Sequence, residues 1–314
     1  MSTFLTNKKM APALAARVEA SIRGDKAPTL VRALSRFGIV VALVALVVWA
    51  VIKGREGGHI LERERASLLD AVRVASVSLG DAREAIGRDE GFIERLAGRY
   101  EGDLEASELR GPNAFAAVLG RPLTYVRGPI DEMRSSAGID KAAASSFKDA
   151  FLFCLLDPPR ARNEAALLGK VRAAYTSPTL VEERTRNAYR LADAYRGVRM
   201  IDSSWEERAR GARDLRDVTA LRAELDRTPI EQAKRTLHAE LLVIVVDEVG
   251  DATSAAELDG ERAHDVRVEI VDMTKREVLL RERRHVDPAV WSSGARVEYA
   301  GGLDGCGVAF DVRM

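Results

Sequence analysis

The residues best placed to do chemistry in this 314-residue chain are carboxylates at the ends of apolar runs: Asp157, Asp247 with Glu248, and Asp272. In a sheet containing parallel strands, the carboxyl ends of the strands frame a ligand crevice. The four acids are therefore the candidate catalytic groups of an envelope hydrolase or a metal-dependent enzyme. The competing reading is structural, because Asp at a strand end, or Asp157 ahead of Pro158 and Pro159, is ordinary turn chemistry.

The remaining reactive side chains are few. His59, His238, His264 and His285 show no HxH or HExxH spacing, and only His264, Asp265 and His285 could approach one another, across a hairpin. Three or four converging ligands are needed for zinc, so no metal site is assigned. Cys154 and Cys306 both fall in apolar segments; they are read either as a disulfide, if the domain is exported, or as two buried thiols. A nucleophilic cysteine is disfavoured, because an apolar setting raises the thiol pKa and denies access. There is no nucleophile elbow, phosphate loop or dinucleotide fingerprint, and Gly301, Gly302, Gly305 and Gly307 lack the strand-then-helix context of a phosphate cradle. No cofactor is implied.

The segment that positions the whole protein is Phe37 to Ile52, sixteen uncharged and mostly branched residues between Arg36 and Lys53. As a helix it would rise roughly 24 Å. That nearly spans a bilayer core once Arg36 and Lys53 snorkel and Trp49 sits at the interface. A cleaved signal peptide fits less well, because 36 residues precede the run and Trp49 stands where a small residue is wanted. Residues 1–36 carry seven positive and two negative charges, which favours a cytoplasmic N-terminus and a domain outside. Within that tail, Leu14, Ala15, Val18 and Ile22 recur at helical spacing; the tail is either a lipid-surface helix or a solvated arm. It is too short to hold a cytoplasmic output domain.

Totals of 48 basic and 48 acidic residues leave 40 and 46 after residue 53, a net of −6. An acidic main domain argues against nucleic-acid binding. With only two cysteines, a disulfide-dense scaffold is also excluded. Arginine outnumbers lysine 39 to 9, which suggests a GC-rich bacterial gene and hence an inner membrane.

Four regions follow: a basic tail at 1–36, a membrane helix at 37–53, a membrane-proximal helical segment at 54–100 and a mixed α/β domain at 101–314. Gly54, Gly57 and Gly58 suggest a hinge. In residues 60–86, Leu61, Leu68, Val72, Ala75, Leu79, Ala82 and Ile86 fall on a three-four spacing. That is the seam of a coiled-coil homodimer, or the buried face of a helix packed on its own domain. Leu69, Val74 and Val77 widen the stripe and favour the second. A short helix is expected over 91–100.

Beyond it, Leu123 to Gly128 and Leu241 to Val246 read as strands, and Ala150 to Leu156 as a third, buried on both faces. Val266, Val268 and Ile270 alternate with Arg267 and Glu269 as a half-exposed strand, followed by a hairpin in which Asp272 faces Arg276. Val308, Phe310 and Val312 suggest a terminal strand, while Asn163 to Tyr175 and the charged middle third read as helices, with starts at Pro178, Ser203 or Ser204, and Thr228. The fold class is α+β, a mixed α/β layer structure with five or six strands.

The expectation for function is a single-pass, membrane-anchored protein whose extracytoplasmic domain binds or scaffolds another envelope protein. The alternatives are an enzyme built on the four carboxylates and an oligomeric stalk built on residues 60–86.

Overall fold

The computed structural model describes residue 17 and residues 29–111, 113–146, 150–200, 203–248, 262–299 and 302–314. The chain divides into two units, Met1–Glu64 and Arg65–Met314. In the first unit the described backbone is helical from Thr29 onward, as part of α1 (Thr29–Leu79), and runs through Gly54, Gly57 and Gly58 without a hinge. Of the predicted span, the side chains at 38 and 41–49 are described, and all are exposed. Among the described residues no helix is long and apolar enough to cross a membrane. The tail stripe from Leu14 to Ile22 lies outside the described residues apart from Arg17.

The second unit is an α+β structure on a mixed sheet. Its strands are β1 (Leu104–Glu105), β2 (Leu123–Pro129), β3 (Ala188–Arg190), β4 (Leu241–Glu248), β5 (His264–Asp272) and β6 (Glu277–Val286), in spatial order β1-β6-β5-β4-β2-β3. The β2–β3 and β2–β4 pairs are parallel, whereas β4–β5, β5–β6 and β1–β6 are antiparallel. Besides α1, the described helices are α2 (Ala82–Ala97), α3 (Ala114–Leu119), α4 (Ser136–Ser145), α5 (Phe151–Leu156), α6 (Glu164–Thr176), α7 (Pro178–Arg184), α8 (Leu191–Met200), α9 (Ser203–Gly211), α10 (Leu215–Asp226), α11 (Ile230–Leu237), α12 (Ser293–Tyr299) and α13 (Leu303–Arg313).

Both faces of the sheet are covered, which explains the unbroken apolar run of β4. Leu241, Val243 and Val245 join a core with Leu123, Tyr125, Val268 and residues of α5, α6 and α13. Leu242, Ile244 and Val246 join a second core with Val126 and residues of α2, α4, α8 and α11. Alternate side chains of a strand point to opposite faces, so a strand covered on both sides must be apolar throughout.

Several expectations are corrected. Ala150 to Leu156 is not a strand: Phe151–Leu156 is helix α5, with Phe151, Leu152, Phe153, Cys154 and Leu155 all buried and Phe151 stacked on Tyr125 at 5.9 Å. A run apolar at every position carries no period, and burial on all sides suits a short core helix as well as a central strand. The terminal strand is likewise helix α13; its residues Leu303 to Ala309 are all buried, as is Val312, and Gly305 and Gly307 lie inside it. Two strands too short to read in the sequence, β1 and β3, complete the sheet.

The helix expected over 60–86 breaks at Gly80, where φ is +50°, and α2 then takes in residues 91–97 of the helix expected over 91–100, ending three residues early at Ala97. Leu68, Val72, Leu79, Ala82 and Ile86 of the predicted seam are buried within this unit. Thr228 caps nothing at the start of α11; Pro229 occupies that place, and the Thr228 hydroxyl donates back to Glu224 O at 3.0 Å. The β5–β6 hairpin pairs Asp272 with Glu277 rather than with Arg276, which adopts φ 61° in the turn, and a bulge lies between Ile270 and Val271.

Candidate functional site

A cluster of buried polar groups lies at the carboxyl ends of the parallel strands β2 and β4. Arg127 and Asp247 project to one face of the sheet, and His264, at the start of antiparallel β5, joins them there. In register Asp247 pairs with Pro129 on β2 and Val266 on β5, so Arg127 and His264 are each two residues away along their strands and share its face. Arg127 donates twice, Nε to Oδ2 at 3.0 Å and Nη2 to Oδ1 at 2.8 Å, while His264 Nε2 lies 3.3 Å from Oδ1. His264 Nδ1 lies 2.8 Å from the Arg262 carbonyl. Since β3 pairs with β2 only at residues 123–125, the β2 edge at Arg127 is closed by Ser146, whose Oγ accepts from Arg127 N at 2.9 Å and donates to Arg127 O at 3.2 Å.

Arg127, Asp247 and His264 are exposed by 2%, 0% and 5%, which decides what they can do. Burial by itself would raise the Asp247 pKa, but the Arg127 charge and the His264 hydrogen bond outweigh it and hold the carboxyl below its usual range. For His264, burial disfavours the charged ring, yet the hydrogen bonds to Asp247 and the Arg262 carbonyl leave its pKa raised. The result is a carboxylate held between the Arg127 guanidinium and the His264 ring. Buried and bonded from both sides, it ties β4 to β2 and β5.

The other predicted acids sit elsewhere. Glu248 faces the opposite side of the sheet, where it accepts from Arg267 and Arg283. Asp272 lies at the other end of β4, paired in register with Leu241; it accepts from Arg121 Nη1 at 2.9 Å and caps the turn through Thr274 N and Lys275 N, both at 2.9 Å. Asp157 follows helix α5 and is paired with Lys170 at 2.6 Å. Only Asp247 and Glu248 are neighbours, and they point apart. The carboxylates do not converge.

Nor do the histidines. His285 Nδ1 meets Asp265 Oδ1 at 2.7 Å, whereas His264 faces Asp247 on the other side of the sheet; His238 ends α11 and His59 is exposed in the first unit. Among the described residues no group of three His, Cys, Asp or Glu could hold a metal ion. Cys154 of α5 and Cys306 of α13 are joined in a disulfide, with Cα atoms 5.2 Å apart and 152 residues between them in sequence.

Two features escaped sequence reading. Arg127 was hidden in the apolar strand PLTYVRG, where a lone arginine at a strand's inner face is itself the signal of a buried acidic partner. The alternation in β5 is real, but its polar face is not half-exposed: Arg267 donates to the carbonyls of Leu96 at 2.7 Å and Gly98 at 2.6 Å, at the end of α2. Beside it, Glu269, exposed by 1%, accepts from Arg281 Nε at 2.7 Å. Burial raises the Glu269 pKa in spite of Arg281.

No protein-family profile, curated protein or solved structure matches the chain.

Proposed function

We propose that this chain is a single-pass membrane protein whose domain after residue 53 lies outside the cytoplasm and acts there as a binding or scaffolding module of the cell envelope. The observation that carries the anchor is the exposure of Val41, Leu43, Val44, Leu46, Val47, Val48 and Trp49, each at 51% or more. At about 100° per residue these positions cover the whole circumference of a helix, and a helix apolar all round requires an apolar surrounding. Continuation of the same composition from Phe37 to Ile52 supplies the length. The excess of positive charge before it supports a cytoplasmic N-terminus, and the disulfide suits an oxidising compartment.

Binding rather than catalysis is favoured because the predicted acids are dispersed and neutralised by cations. The hydrolase reading gains no support from this geometry. Alkaline carbonate extraction of membranes tests the anchor: the intact chain stays in the pellet, and a chain lacking residues 37–52 is released. Release of the intact chain would overturn the reading.

A further inference from the structure

Away from the Asp247 cluster, a cavity of about 280 Å³ lies where the ends of α3, α7 and α13 meet. Its charged lining is Arg184, Arg186 and Arg313 against a single acid, Glu183. Asp157, close by, adds no net charge, since Lys170 holds it at 2.6 Å and Arg184 approaches it at 3.5 Å.

The three arginines are not equivalent. Arg313 is fixed by its own chain: Nη1 donates to the carbonyls of Leu155 at 2.6 Å and Leu156 at 3.4 Å, at the C-terminal end of α5 where orphan carbonyls need donors. Burial lowers its pKa against the opposing charge of Asp157. A guanidinium held by two carbonyls keeps its full positive charge and its other N–H groups. Arg186 is exposed and makes no ion pair among the described residues. Asn187 completes the lining, its Nδ2 donating to the carbonyls of Leu119 and Arg121, both at 2.8 Å, which leaves Oδ1 as the amide atom for a ligand hydroxyl.

We propose that this cavity binds a phosphate group, with Arg184, Arg186 and Arg313 as the donors. Planar guanidinium forks match the geometry of phosphate oxygens, and the three arginines with Lys170, set against Glu183 and Asp157, leave two positive charges to complement a dianion. Ligand pockets usually enclose about 300–1,000 Å³, so this one suits inorganic phosphate or a small phosphate monoester rather than a dinucleotide. The assignment names a ligand for the binding module proposed above and rests on that reading.

The test is thermal unfolding of the purified full-length chain in detergent, titrated with sodium phosphate or with glycerol 3-phosphate, each against sodium chloride at matched ionic strength. Saturating phosphate should raise the Tm by about 3 °C. Arg186→Gln should abolish the rise, while Arg216→Gln, at an exposed position of α10, should keep it. Since Arg186 has no ion pair to lose, its variant folds. A larger shift with glycerol 3-phosphate assigns the ligand as a phosphoester, such as a lipid headgroup; a larger shift with phosphate assigns the free ion. No shift in the intact chain, an equal shift with chloride, or a full shift in Arg186→Gln would overturn the proposal. None of these results bears on carbonate extraction, so the two readings fail separately.

Discussion

Arg127 grips Asp247 at both carboxylate oxygens, at 3.0 and 2.8 Å, inside a sheet that leaves the pair 2% and 0% exposed. Geometry of this quality offsets the desolvation of two ions; removing one partner strands the other. Asp247→Asn should therefore destabilise the domain by about 3 kcal/mol in chemical denaturation. Replacing both residues, Arg127→Met with Asp247→Leu, should cost less than the single change. A double variant less stable than Asp247→Asn would show that the pair is more than a structural tie.

The strand that carries this acid was legible in the sequence because six consecutive apolar residues, Leu241 to Val246, stop at a charged pair and match a strand buried on both faces. The same logic failed at Phe151 to Leu156, since an aperiodic run fixes burial but not conformation. It failed again at Arg267 and Glu269: alternation reports which residues share a face, and only tertiary structure reports that the end of α2 covers that face. Asp247 was readable as a candidate. Its partners were not, because Arg127 and His264 lie 120 and 17 residues away and meet it through strand register.

A second buried acid makes stability depend on pH. Asp89 in α2 is exposed by 5%, its Oδ1 has no hydrogen-bond partner, and Arg88 Nε stands 3.7 Å away. Burial pushes its pKa up to about 7 against the weaker pull of Arg88. Folding therefore favours the protonated acid, and this contribution is fully present below pH 4 and lost as pH rises through 7. Asp89→Asn should match the parent near pH 4 and exceed it by roughly 2 kcal/mol at pH 8. Parallel stability curves across that range would refute the assignment.

Gly138 is a packing constraint. It lies in the first turn of α4, where its N–H donates to the Ser135 cap at 3.3 Å, and a Cβ there would stand 2.7 Å from the carbonyl carbon of Glu132 and 2.8 Å from its Cα. Backbone cannot rotate away as a side chain can. Gly138→Ala should cost about 1–3 kcal/mol, whereas Gly169→Ala, in open space on α6, should be neutral or stabilising. Equal stability of the two variants in thermal melts would contradict this packing.

The disulfide closes a long loop. Cross-linking positions 152 residues apart restricts the unfolded chain, and the effect rises slowly with loop length. Replacing both Cys154 and Cys306 by Ala should lower stability by about 3–5 kcal/mol. A stability unchanged by reductant in the parent protein would contradict it.

The location proposed for the domain after residue 53, outside the cytoplasm, is open to direct measurement. Protease added to intact bacterial spheroplasts, and to lysed ones, reads this directly when the products are run on reducing and non-reducing gels. Digestion before lysis is expected, together with a mobility shift with reductant from the Cys154–Cys306 bridge. Protection until lysis, with no shift, would contradict it and place the domain in the cytoplasm.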